Sequence, residues 1–150
     1  MLKRILLTTS VLLFITANAS GQASGFGAGV MIGEPTGISL KHWMSRTNAV
    51  AGGLAWSLGK HDAFHLHGDY LWHDWDLIKV DKGKLPLYYG VGARLLFADD
   101  AHFGIRGVVG LDYLLADIPL DIFLELAPVF DLAPSTEFSF NGGLGARYFF

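Results

Sequence analysis

From Gly25 onward the chain alternates apolar and polar side chains, broken by short clusters of turn-forming residues. A strand sends successive side chains to opposite faces, so a period of two marks strands with one apolar and one polar face. Eight segments with this pattern are predicted, spanning roughly residues 25–33, 37–45, 49–59, 63–75, 85–98, 102–116, 119–130 and 137–150. The breaks at 34–37, 46–48, 60–62, 76–84, 99–101, 117–119 and 131–136 each hold the Gly, Pro, Asn or Asp residues that turns favour. No stretch after residue 20 sustains apolar residues at the i, i+3, i+4, i+7 spacing of a helix.

Sorting the segments by parity separates two chemistries. One face runs through Phe26, Val30 and Ile32, then Ile38, Leu40, His42 and Met44, then Val50, Leu54, Trp56 and Leu58. It continues through Phe64, Leu66, Tyr70 and Trp72, through Leu87, Tyr89, Val91, Leu95 and Phe97, and through Phe103, Ile105, Val109, Leu111 and Tyr113. Leu120, Ile122, Leu124, Leu126 and Phe130 follow, and Phe138, Phe140, Leu144, Tyr148 and Phe150 complete it. This reading puts no Asp, Glu, Lys or Arg on that face. A cation facing lipid at the bilayer midplane costs about 2–4 kcal/mol, so a lipid-facing surface demands such a band.

The opposite face collects Lys41, Asp69, Arg94, Arg106, Asp112, Asp121, Glu125, Glu137 and Arg147, with His65, His67 and His73. Its near-balance of signs suits the filled interior of a narrow barrel, where a lone ion is very costly. The expected fold is therefore all-β: an eight-stranded antiparallel up-and-down transmembrane β-barrel. A water-soluble periplasmic barrel holding an apolar ligand is the competing architecture, and it requires the opposite distribution, with charge outside.

The two ends of the chain extend this picture. Lys3 and Arg4 precede an apolar run from Ile5 to Ile15, and Ala17-Asn18-Ala19 supplies an A-x-A cleavage site. Residues 1–19 read as a cleaved signal peptide for export through the Sec pathway, leaving 20–150 as the barrel. The apolar run is too short for a membrane-spanning helix, which needs about 20 residues. At the other end the closing strand stops on an aromatic, Phe150, which suits an anchor at a membrane interface.

Composition narrows the function classes. Charged residues make up only 17% of the chain, below the roughly 25% usual in soluble domains, while 51% are hydrophobic. Without Lys3 and Arg4 the formal charge falls from −3 to −5, which gives a nucleic-acid partner no electrostatic footing. The absence of Cys removes disulfide frameworks, thiolate metal sites and Cys nucleophiles together.

Placing both termini on the periplasmic side puts Tyr70, Trp72, Tyr89, Tyr113, Tyr148 and Phe150 near one rim, as an aromatic girdle. Trp56 and Phe97 fall at the other rim. This orientation also makes the longest connection, residues 76–84, a periplasmic turn, although such barrels usually keep long loops outside. Gly25, Gly27 and Gly29 in the first strand, with Gly143 and Gly145 in the last, are expected to leave room for long side chains such as Arg94 or Arg147.

The run Gly33-Glu34-Pro35-Thr36-Gly37-Ile38-Ser39, with Lys41 and Trp43, resembles a family of small bacterial outer-membrane β-barrel proteins of the OmpA or OmpX kind. His65-Leu66-His67 with Asp69-Tyr70-Leu71, Leu85 to Gly90, and Leu120 to Glu125 share the resemblance, which spans the whole chain after the signal. It implies an eight-stranded outer-membrane barrel surrounded by outer-membrane lipid. It also implies that Tyr148-Phe149-Phe150 is the aromatic signal read by the barrel-assembly machinery during biogenesis. The resemblance brings no catalytic residues and no cofactor, and it leaves the oligomeric state open.

Three clusters could carry chemistry. His65 and His67 are possible metal ligands, but same-face neighbours on a strand are about 6.5–7 Å apart and His73 is too far to join them. Asp112, Asp121 and Glu125 could serve as paired acid and base, yet Arg94, Arg106 and Arg147 are available to neutralise them. A Ser–His–acid lipid A hydrolase needs its triad facing the membrane, where His42 has no Ser or acid beside it. The expected role is therefore structural or surface-interacting, with no open pore and no enzymatic activity.

Overall fold

The computed structural model describes residues 24–57 and 63–150, so the predicted signal segment, Leu58 of the apolar face and the predicted break at 60–62 lie outside the described residues. Eight strands run in chain order: β1 (Phe26–Glu34), β2 (Gly37–Trp43), β3 (Asn48–Ser57), β4 (Ala63–Asp74), β5 (Leu87–Phe97), β6 (Ala101–Leu114), β7 (Leu120–Ala133) and β8 (Glu137–Phe149). Each pairs antiparallel with its sequence neighbour, and β1 pairs with β8, which closes the barrel and leaves no free sheet edge.

The period of two becomes an inside and an outside. Along β4, His65, His67, Asp69, Leu71 and His73 are buried while Phe64, Leu66, Tyr70 and Trp72 are exposed. Exposed apolar side chains on the outward face range from 36% (Trp72) to 71% (Ile32) of their surface, which inverts the distribution of a barrel with an apolar interior. Glu34 and Asp74 also fall on the outward side, a departure from the charge-free face read from the sequence. Both are the last residue of their strand, beyond the apolar band, where a charge stays hydrated.

The β6–β7 pairing carries the main irregularity. Its register shifts between Phe103 and Gly104, which pair with Ala133 and Asp131. β7 runs three residues past Phe130, and Asp131, paired with Gly104 and Glu137, continues the inward alternation of the odd-numbered residues with 3% of its surface exposed. A bulge of this kind adds a residue to one strand and re-aims its neighbours.

The long connection after β4 is a return path packed on the barrel. Lys84 and Leu114 exchange backbone hydrogen bonds of 3.0 and 2.8 Å, and Asp112 N donates to Pro86 O at 3.1 Å. The Tyr113 hydroxyl donates to Lys82 O at 2.8 Å, and Lys82 Nζ lies 2.8 Å from Asp117. These residues lengthen the β5–β6 ladder, which accounts for the length of this connection at the end where the termini lie.

Candidate functional site: the barrel lumen

The lumen begins with large apolar side chains that the parity reading had left out of the polar face. Met31, Leu71, Tyr88, Val108, Phe123 and Ala127 form one buried cluster. Trp43, Ala49, Leu114 and Phe149 form a second, with Trp75 packed against it. The second lies at the terminus-side end, where Trp43 and Trp75 stack at 5.8 Å and Trp75 Nε1 donates to Arg46 O at 2.8 Å. That end of the barrel is thus capped by aromatic packing. Inward aromatics at positions 43, 88, 123 and 149 were visible in the sequence; strict alternation was the signal that could have found them.

Glycines make room for these rings. A side chain at Gly145 would meet Phe123 Cε1 at 2.6 Å, and one at Gly27 would meet the Phe149 ring at the same distance. Gly27 and Gly145 therefore make room for aromatic rings, whereas Gly143 lies against Met31 and Gly29 against the backbone of Ala146 and Arg147. Arg147 instead lies over the far side of the packing, with its guanidinium carbon 3.9 Å from the Phe123 ring centre.

Around this apolar frame the ions form three linked groups. Nearest the cap, Lys41 Nζ donates to Asp112 Oδ2 at 2.6 Å and to His73 Nε2 at 2.8 Å. His73 Nδ1 donates to Thr47 O at 3.0 Å, so the carbonyl selects the tautomer that leaves Nε2 free to accept. Arg147 grips Asp121 with its Nε and Nη2, at 3.1 and 2.8 Å, and stands 3.8 Å from Asp112. In the second group Arg106 lies between Asp69 (3.0 Å) and Glu125 (3.5 Å), and the Tyr88 hydroxyl donates to Glu125 at 2.8 Å. The Arg106 nitrogens are not aligned for hydrogen bonds, so charge proximity alone holds this pair of contacts. In the third, Arg94 grips Asp131 with its Nε and Nη2 at 3.1 and 2.7 Å.

Eight of the nine charges assigned to the lumen are brought into these groups. Glu137 is the exception: it is exposed at the start of β8, beside Asp131 in register. Asp131 takes the inward place, and the balance of four cations against five anions is kept. Parity assigns a face but no depth, and Glu137 lies where its face has already met the rim.

His65 and His67 stand edge to face with ring centres 5.3 Å apart, and the nearest acid, Asp69, is 3.9 Å from His67. Among the described residues no three His, Asp or Glu side chains converge as metal ligands. On the outer face His42 pairs in register with Phe26 and Val50, neither of which can act as nucleophile or acid. The girdle residues assemble in part: Tyr70 and Trp72 lie 4.9 Å apart, Trp72 stacks on Tyr89 at 6.0 Å, and Tyr148 meets Phe150 at 5.5 Å. Tyr113 is half-buried and is spent on anchoring the return path.

No family model matches the chain, and no curated protein is similar to it. Among solved structures, the N-terminal β-barrel domain of OprF from Pseudomonas aeruginosa is similar at a TM-score of 0.60 and 14% identity. The match covers 87% of this chain and the whole of that one. At this identity the likeness speaks to the closed barrel fold.

Proposed function

We propose that the protein is an outer-membrane β-barrel with a structural or surface-interacting role and no open pore. The observation that carries this reading is the inversion of the barrel: paired ions fill the inside while uncharged apolar side chains cover the outside. Only a hydrocarbon environment makes that distribution favourable, because in water the exposed apolar band would drive aggregation. The aromatic cap of Trp43, Trp75 and Phe149 and the buried ion groups occupy the lumen, which supports a closed interior. Export through the Sec pathway and insertion by the barrel-assembly machinery, guided by Tyr148-Phe149-Phe150, complete the proposal.

Cell fractionation tests the location. The full chain, expressed with its signal, is expected in the outer-membrane fraction, released by detergent but not by salt or alkali. Its gel mobility is expected to change on heating, as the folded barrel opens. Recovery in the soluble periplasmic fraction would overturn the reading.

A further inference from the structure

The outer face of the barrel is not evenly filled. A depression of about 550 Å³ crosses β5 to β8, lined by Val91, Ile105, Gly107, Pro128, Phe130 and Phe138. Val91, Ile105, Phe130 and Phe138 are exposed apolar side chains of the outward face, so the depression opens on that face and not into the lumen. Gly92 and Arg106 also line it, but the Arg106 guanidinium lies inside the barrel between Asp69 and Glu125. The depression is therefore free of side-chain charge.

Two residues shape its floor, both in the middle of 14-residue strands. A Cβ at Gly107 would lie 3.6 Å from Pro128 Cγ and, beyond its chain neighbours, meet open space. Pro128 has no N–H to give a ladder, and the β6–β7 pairing passes from Arg106↔Val129 to Val109↔Leu126 without Gly107 or Val108. Proline inside a sheet is otherwise confined to edges, strand starts and bulges, and this closed barrel has no edge. Glycine in a strand interior weakens the strand and often marks the close approach of a ligand. The lining then selects the occupant, because it offers C–H surface and continues the band that faces lipid. A second copy related by a two-fold axis would set one hollow against another and leave a void, which forfeits dispersion contacts. A flexible hydrocarbon chain fills the hollow without that loss.

We propose that this depression holds one acyl chain of a bilayer lipid, entering from the leaflet opposite the termini and ending over Gly107 and Pro128. The proposal rests on the reading of the chain as a membrane barrel. Phe138, the second residue of β8, stands towards the rim opposite the termini and flanks the chain with Phe130. Val91 and Ile105 flank its end.

The test uses the full mature chain folded into dioleoylphosphatidylcholine vesicles that contain a small fraction of phosphatidylcholine with a diazirine near one chain end. Illumination attaches the chain to whatever it touches, and peptide mass spectrometry reads where. Labelling of residues 105–107 and 128–130 is expected at least threefold above that of Val30 and Leu54, on β1 and β3. Gly107→Val fills the floor and is expected to bring the labelling down to that of Val30 and Leu54, while Leu54→Val leaves it unchanged. Even labelling around the barrel, or labelling that Gly107→Val does not lower, from protein with heat-modifiable mobility would overturn the site while leaving the barrel reading intact. Disulfide-linked dimers formed through Ile105→Cys in the same vesicles would assign the depression to a second copy and overturn it too. Protein that stays outside the vesicles and takes up no label anywhere would instead overturn the barrel reading on which the site rests.

Discussion

Lys41 Nζ lies 2.6 Å from Asp112 Oδ2, with both side chains fully buried and the two residues 71 positions apart in the chain. They project from β2 and β6 into the same part of the lumen, and together with His73, Arg147 and Asp121 they form its most buried ion group. The pair ties opposite walls of the barrel, which the hydrogen-bonded ladders between neighbouring strands do not.

Removing one member of this pair should cost far more than removing both. Lys41→Met leaves Asp112 with Arg147 at 3.8 Å as its remaining cation, and is expected to lower stability by about 3–5 kcal/mol. The double variant Lys41→Met with Asp112→Leu is expected to recover at least half of that loss. Urea titrations of the four proteins in detergent check this, and additive losses would show that the two residues do not interact.

The exchange of Glu137 for Asp131 gives a second comparison. Asp131→Asn strands the buried Arg94 guanidinium and should cost several kcal/mol, within the range of about 3–5 for a broken buried pair. Glu137→Gln alters an exposed rim residue and should stay within about 0.5 kcal/mol of wild type. The same titration decides, and equal effects would contradict the placement of both residues.

These two acids show what could be read from the chain. A period of two survives in the sequence because each strand's environment differs across the sheet, so the barrel, its eight strands and the face of nearly every charge were legible. The height of a side chain in the lumen was not legible, because it depends on register and strand tilt, which arise between strands. Asp131 was read as a turn residue from its type and from the nearby Pro134, although Phe130 and Leu132 on either side continued the alternation. The pairings with Gly104 and Glu137 that carry β7 past it have no sequence signature of their own. The pairing of Lys41 with Asp112 likewise required the closed barrel.

Gly53 tests the packing of the lumen. A side chain there would meet the ring of His67, whose atoms are its three nearest neighbours, with Nε2 at 2.8 Å and Nδ1 at 2.9 Å. Gly53→Ala is expected to destabilise the barrel by about 1–3 kcal/mol through overpacking. Because the three nearest atoms all belong to that ring, His67→Ala should suppress this penalty in the double variant. A Gly53→Ala protein as stable as wild type would mean that the lumen is less tightly filled than described.

The outer face makes the opposite demand. Ile105 is half exposed on β6, flanked in register by Ala93 and Phe130. Ile105→Arg should cost about 2–4 kcal/mol when the barrel folds into a bilayer, whereas Ile105→Leu should be nearly neutral. Folding titrations into lipid vesicles measure the difference. Tolerance of arginine there would contradict a hydrocarbon-facing surface.

The ion-filled, capped lumen is tested most directly by single-channel recording of the folded wild-type protein in a planar lipid bilayer. The account predicts a flat baseline at all applied voltages, with no discrete conductance steps. Sustained, reproducible steps from protein shown to be folded would contradict it.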